Sequence, residues 1–371
     1  MAPDSSTYLD YNATAPMLPE VTQAVAAAMT YFGNPSSVHA AGRRARAVVE
    51  EAREAVATLV NASPQHVIFT SGGTEANALA LRGLRQGCAG VLASAIEHPS
   101  VLAHVSESDR IAVDLNGFID FADLERRLSA LGGPALLAVM LANNETGVLQ
   151  PLARVVALAR RYGARIHCDA VQAAGKIKID MKALDIDSMS LSAHKFGGLK
   201  GAGALVIRAG VDLAADMLGG GQERRRRAGT ENVPGIAGFG AAAREAVRLL
   251  EDMPRIEGMR DDMERIVLHS APQARIFGKD VPRIGNTTCI ALPGVSSETQ
   301  VMRLDLAGVA VSAGSACSSG KIAPSHVLLA MGVDPTEAKA AIRVSLGWNT
   351  QPNDVMAFIK SWLPLATNAA A

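Results

Sequence analysis

The sequence predicts an α/β protein: a mostly parallel central sheet flanked by helices, with a smaller α+β C-terminal lobe. Three observations carry this. Short, continuous apolar runs alternate with stretches of helical spacing, and strands that are apolar throughout are covered on both faces. Several of these runs end in polar clusters, where open α/β sheets place their ligands. The alternation then changes near Pro254, and 371 residues suffice for two units with a large core.

Taken in order, residues 19–32 predict a helix closed by Gly33. After the turn GNPSS, residues 38–59 have helical spacing, with Glu50 and Glu54 beside Arg43, Arg46 and Arg53. Residues 66–70 (HVIFT) predict a buried strand running into SGGTEANALALRGL, a glycine turn that opens a helix. Further strands are expected at 90–94, 111–114, 135–141, 165–168, 188–191 and 203–207, with helices at 120–131 and 152–162. Beyond a soft boundary at 251–258, a helix is expected at 259–269 and strands at 287–292, 309–312 and 341–346. Helices are expected at 325–331 and 353–363.

Composition excludes several classes of function. Lys plus Arg equals Asp plus Glu at 36 each, and a neutral chain lacks the basic surface that bulk binding to nucleic acid or anionic membrane needs. Arg224 to Arg227 form a run, but no aromatic interleaves with it, as expected of a solvated loop. The four cysteines, Cys88, Cys168, Cys289 and Cys317, form no CxxC pair. That argues against a zinc ribbon, a thioredoxin-type site and a disulfide framework, and no metal site is expected. The N-terminus does not read as a signal peptide, and apolar runs such as 135–142 are too short to span a bilayer. A cytoplasmic protein is expected.

Six segments carry candidate chemistry. TSGGTEAN (70–77) is either a phosphate-binding helix start, with Gly72 and Gly73 allowing close approach, or a plain turn with a Thr cap. In RIHCDAVQ (165–172), Asp169 follows a strand and either holds a cationic ring nitrogen or caps a helix. In SMSLSAHKFGG (188–198), Lys195 at a strand end could be a desolvated amine able to condense with a carbonyl. His98 follows the strand 90–94 and precedes Pro99. Cys317, in VSAGSACSSG (311–320), has polar, flexible neighbours, which favours a mobile exposed loop; the other three cysteines suit small core residues. Arg343 lies in an apolar strand and needs a partner, either a bound carboxylate or an internal acidic residue.

As an ordered set over nearly the whole chain, these motifs resemble the cysteine desulfurases, fold type I pyridoxal 5′-phosphate (PLP) enzymes of aminotransferase class V. The resemblance implies that Lys195 of the S-x-H-K motif carries PLP. It makes Asp169 and Gln172 of DAxQ the partners of the pyridine nitrogen and phenolic oxygen, and His98 the histidine stacked on the ring. It assigns the phosphate to Gly73, Thr74, Ser192 and His194, joined by Thr230 from the other subunit of a homodimer. Asn144 of NNE-x-G is a further cofactor and substrate contact. Arg343, helped by Asn34, is assigned the substrate carboxylate, and Cys317 of GSAC accepts sulfur as a persulfide. The GSAC loop matches the nitrogen-fixation and housekeeping branch of the family, while Val171 and Leu199 depart from its usual Thr and Pro. The implied domains are 15–255, which binds PLP, and 1–14 with 256–371, the small domain.

The implied activity converts L-cysteine to L-alanine and passes sulfur through Cys317 to an iron–sulfur scaffold or another acceptor. There the persulfide could touch a nascent cluster. The alternatives are another class V enzyme, such as an aminotransferase or selenocysteine lyase, and a non-catalytic binding or scaffold protein.

Overall fold

The computed structural model describes residues 7–314 and 323–369. Cys317 lies outside the described residues. After a two-residue strand, β1 (Thr7–Tyr8), come β2 (Val67–Thr70), β3 (Gly90–Ser94), β4 (Arg110–Ile111), β5 (Ala135–Met140), β6 (Arg165–Asp169), β7 (Ser188–Ser192) and β8 (Gly203–Ile207). These seven pair in the order β2-β8-β7-β6-β5-β3-β4. All pairs from β7 to β4 are parallel, and β8 runs antiparallel to both of its neighbours.

Alternation along β5 explains why so apolar a strand forms. Leu137 and Val139 enter the large core, with Val49, Val56 and Phe239 from the helices Ala40–Leu59 and Val233–Leu249. Leu136 and Ala138 enter a second core, with Leu79 and Leu84 at the helix Gly73–Gly83. Each face is thus covered by helices, as a parallel sheet requires. The two helices on the first face approach closely at Gly240, where an added Cβ would lie 2.6 Å from the Cα of Ala52.

The remaining strands are β9 (Arg275–Phe277), β10 (Thr287–Ala291), β11 (Val309–Ala310), β12 (Ser312–Ala313) and β13 (Ala341–Ser345). A four-stranded antiparallel sheet has the order β12-β13-β10-β9, while β11 pairs in parallel with β1. Its core gathers Leu9, Ile256, Ile290, Val344 and Trp362. Trp362 donates its indole N–H to Gln300 Oε1 at 2.9 Å. No helix among the described residues is long and apolar enough to cross a membrane.

Several element boundaries differ from expectation. The strand expected at 309–312 is two strands split at Val311, because the chain changes partner from β1 to β13. The strand expected at 111–114 ends at Ile111: Asp114 turns the chain by accepting the N–H groups of Asn116 and Phe118. Pro254 lies in the first turn of the helix Met253–Ser270, where no N–H is needed, so the helix begins ahead of the expected 259. The last helix, Pro352–Ala369, continues through Pro364. Buried Ala366 and its carbonyl, which accepts from Gln273 at 3.1 Å, anchor that extension. Cys168 and Cys289 are fully buried, as expected. Cys88, at the turn after the helix Gly73–Gly83, is only half-buried.

One buried ion pair ties the layers together. Arg53 donates to both carboxylate oxygens of Glu223, at 2.8 and 2.9 Å, and to the Val67 carbonyl at 2.8 Å. Glu223 also accepts the Phe69 N–H at 2.9 Å. Removing one member of such a pair strands its partner, at a cost of about 3–5 kcal/mol. Arg53→Met should therefore lower unfolding free energy by about that amount in urea melts; a loss under ~1 kcal/mol, the worth of an exposed pair, would show that the pair is not structural.

Candidate active site

Parallel strands end on one edge of a sheet, and the polar clusters collect there. Asp169 is the last residue of β6 and Ser192 the last of β7; His98 and Asn144 lie just past β3 and β5. The 3₁₀ turn Ala193–Phe196 then carries His194 and Lys195. On the adjoining side the helix Gly73–Gly83 begins. Gly73, Thr74, His98, Asn144, Asp169, Gln172, Ser192, His194 and Lys195 line one cavity of about 230 Å³. A second cavity shares His98, Asn144, Gln172 and Lys195 and reaches Arg343.

The helix start can receive an anion. A Cβ on Gly73 would sit 2.8 Å from Val171 Cγ2 and 3.5 Å from Ser192 Cβ, so glycine keeps this approach open. Backbone N–H groups at the start of an eleven-residue helix, with hydroxyls on Thr74 and Ser192, suit phosphate.

Asp169 is held from both sides. Its Oδ1 accepts the Val171 N–H at 2.9 Å and its Oδ2 accepts from Asn77 Nδ2 at 2.8 Å. Asn77 Oδ1 in turn faces His167 Nε2 at 3.0 Å, and His167 Nδ1 meets Ser188 Oγ at 2.8 Å. Since Asn77 uses its amide hydrogens on Asp169 and Ser100, its oxygen must accept, so the His167 proton sits on Nε2. Burial pushes the His167 pKa down to about 4, against a smaller opposing pull from Asp169. The carboxylate at the cavity is thus oriented by a neutral chain and can hold a cationic nitrogen.

His98 caps the short helix Pro99–Leu102: its Nδ1 accepts the Ser100 N–H at 3.1 Å, so a neutral ring carries its proton on Nε2. Burial lowers its pKa, assisted by the Lys195 and His326 charges and opposed by Asp169. The preceding Glu97 is fully buried, with Oε1 accepting the Met140 N–H at 2.7 Å and Oε2 without a partner among the described residues. Burial, then Asp169, raises its pKa well above the ordinary carboxyl range. His194 is pushed down to about 4, first by burial and then by Lys195 and Lys200. Lys195 Nζ donates to the carbonyls of Asn12 at 2.7 Å and Ala13 at 3.0 Å.

Arg343 does have an internal partner. Its Nη2 donates to Asp10 Oδ1 at 2.8 Å and its Nη1 to the Asn144 carbonyl at 3.0 Å, while its buried Nε has no partner among the described residues. Asn144 Oδ1 is likewise buried without a partner among the described residues. Unsatisfied polar atoms of this kind at a cavity mark a place for a polar ligand.

Two predicted residues are not brought to this cavity. Thr230 lines a separate pocket with Ser71 and Arg227. Asn34 is exposed, with its Oδ1 accepting the Ser36 N–H at 2.8 Å. Sequence reasoning missed Asn12, Lys176, Asp10, Glu97 and His167, and gave no role to Asn77 inside the segment it selected. Glu97 and His167 adjoin residues it did select, but strand-end position alone does not reveal a supporting group.

Comparison with known proteins matches residues 7–358 to the aminotransferase class-V family model. A cysteine desulfurase of Cereibacter sphaeroides is 44% identical over 357 residues, spanning 92% of this chain and 91% of its own. The X-ray structure of a NifS-like protein from Rickettsia africae ESF-5 superposes with a TM-score of 0.89 at 34% identity, covering 98% of this chain and 99% of that one. A structure described as SspA in complex with cysteine gives 0.78 at 29% identity, covering 91% and 98%.

The buried histidine makes stability depend on pH. Its folded pKa lies below the ordinary 6.5, so between about pH 6.5 and 4 the unfolded chain binds a proton that the folded chain refuses. The His167 contribution is therefore complete above pH 6.5 and lost as pH falls toward 4. Histidine-resolved NMR should show an imidazole titrating near pH 4 that is absent from His167→Gln; a His167 midpoint above 6 would contradict the burial argument.

Proposed function

The chain belongs to the class-V aminotransferases and, within them, to the cysteine desulfurases, and we propose that it uses PLP at this cavity to take sulfur from L-cysteine, leaving L-alanine and a persulfide on Cys317. The observation that carries this reading is the convergence of Lys195, Asp169, His98 and the helix start at Gly73 on one cavity at the sheet edge. The donor set suits the cofactor: an anion-binding helix start, an oriented carboxylate for a protonated ring nitrogen, an amine, and a buried unpaired amide oxygen on Asn144.

In this reading Gly73, Thr74, Ser192 and His194 hold the phosphate. Asp169 keeps the ring nitrogen protonated, and Gln172 takes the phenolic oxygen. Lys195 anchors the cofactor covalently. When bound, PLP supplies an electron sink for negative charge developing on the substrate. Arg343 binds the substrate carboxylate, which meets the guanidinium now paired with Asp10. Lys195 Nζ, freed when the substrate amine takes its place as the anchor, would accept the Cα proton, and His98 Nε2 is placed to assist proton transfer. The Cys317 thiolate bonds to the substrate sulfur as the Cβ–S bond breaks; the electron pair goes to Cβ, which is then protonated. Lys195 Nζ would then take back its place as covalent anchor from the product amine, and alanine would leave.

Thr230 and Asn34, away from the cavity of their own chain, fit a homodimer in which Thr230 serves the partner subunit's phosphate. The persulfide would pass to an acceptor protein, with an iron–sulfur scaffold the acceptor that the family suggests. PLP-loaded protein should be yellow, and mass spectrometry after borohydride reduction should find the cofactor on Lys195. Lys195→Ala should lose that adduct, and its persistence would sink the lysine assignment. Cys317→Ser should bind PLP normally but form almost no alanine from cysteine; normal turnover would refute the nucleophile. Arg343→Ala should raise KM for cysteine at least ~10-fold, since losing one charged hydrogen bond costs about 1.5–3 kcal/mol.

A further inference from the structure

Beyond the groups that face the cavity, one fully buried cation stands behind it. Lys176 Nζ donates to Gln172 Oε1 at 2.8 Å and to Asn12 Oδ1 at 2.7 Å. No carboxylate forms a salt bridge with it among the described contacts, so its partners here are neutral amides. A buried lysine is costly to keep, and surface lysines far outnumber buried ones. Burial drives its pKa well below the ordinary lysine value, with Lys195 and Arg343 adding to the effect. Neutral or charged, the amine still has the hydrogens for both bonds.

The bonding at Gln172 leaves its amide one orientation. A lysine amine has hydrogens to donate to an acceptor, so the Gln172 atom 2.8 Å away is its oxygen. The backbone carbonyl of Asn12 can only accept, so the Gln172 atom 2.9 Å from it is the nitrogen. Each end of the amide is thus determined independently. Nε2 has a second hydrogen beyond the one given to Asn12, and Gln172 lines both cavities.

We infer that Lys176 is a positioning residue: by fixing the Gln172 amide with its oxygen inward, it makes Gln172 an obligatory hydrogen-bond donor toward the cofactor cavity. Without the lysine, the Asn12 carbonyl alone opposes turnover of the amide, and each molecule in which the amide turns over presents an acceptor to an anionic oxygen, converting an attraction into a repulsion. The inference rests on the reading of the cavity as a PLP site, because that reading supplies the anionic oxygen.

The test is a double-mutant cycle on PLP binding to the apo full-length chain, measured by fluorescence, alongside the pH midpoint of the visible absorption of loaded protein. Lys176→Met and Gln172→Leu should each weaken PLP binding about tenfold or more, the scale of one lost charged hydrogen bond. Both should move the spectral midpoint in the same direction. The double variant should be no weaker than Gln172→Leu alone, because the lysine acts through the glutamine. Additive losses, or a Lys176→Met protein with wild-type affinity and midpoint, would overturn the inference. If Gln172→Leu alone changes neither measurement, the cavity reading fails instead. Should Lys176→Met not melt cooperatively, the same cycle is run with Lys176→Gln, which retains a donor; its partial rescue of affinity and midpoint would support positioning, and a loss equal to an unpaired site would overturn it.

Discussion

Asn12 is the joint on which both sheets and the site depend. It is fully buried, yet every polar atom it has is matched. Its N–H donates to Ser345 Oγ in β13, and its Nδ2 donates to Thr287 Oγ1 in β10 and to the Asn144 carbonyl. Its Oδ1 accepts from Lys176 and Asn286, and its carbonyl from Gln172 and Lys195. A buried polar group is favourable only when satisfied in this way. One residue near the N-terminus therefore couples the antiparallel sheet to the strand-end loops of the parallel one.

The site has two kinds of residue. Lys195, Asp169, His98 and Ser192 were legible because the chemistry sits directly after apolar strands, and parallel strands share an edge. Gly73 was legible because a strand, a glycine turn and a helix leave a recognisable pattern. Asn12, Lys176 and Asp10 were not, since each works through partners distant in sequence and none has a local signature. Of the two readings open for Arg343, the structure supplies the internal partner, Asp10, at a cavity where a carboxylate could also reach it. The fold class and most strands were legible from periodicity. Errors fell where tertiary context overrides local pattern: at Val311, where a strand changes partner, and at Pro254 and Pro364, where proline is tolerated at a helix start or where packing carries the helix onward.

A formally neutral chain thus concentrates its charge locally. Lys195 and Asp169 line one cavity, Arg343 paired with Asp10 reaches the adjoining one, and the buried Lys176, Glu97 and His167 stand behind them. Burial sets most of their protonation: it favours neutral His167, His98 and Glu97 and weakens the charge on Lys176. At the cavity itself Asp169 is held by two donors, and Lys195 donates to two carbonyls.

The sheet order also has a consequence in time. Among the described residues β2 pairs only with β8, so the strand that leads into the helix at Gly73 waits until β3 to β7 and then β8 have been synthesised. Pairings between distant segments carry loop-closure entropy and slow folding. Asn12 waits longer still, because Asn286, Thr287 and Ser345 all follow β8 in the sequence. A nascent chain that already contains Lys195 therefore lacks the full set of contacts that hold its carbonyl anchor, and the reactive amine reaches its final surroundings only when the last strand docks.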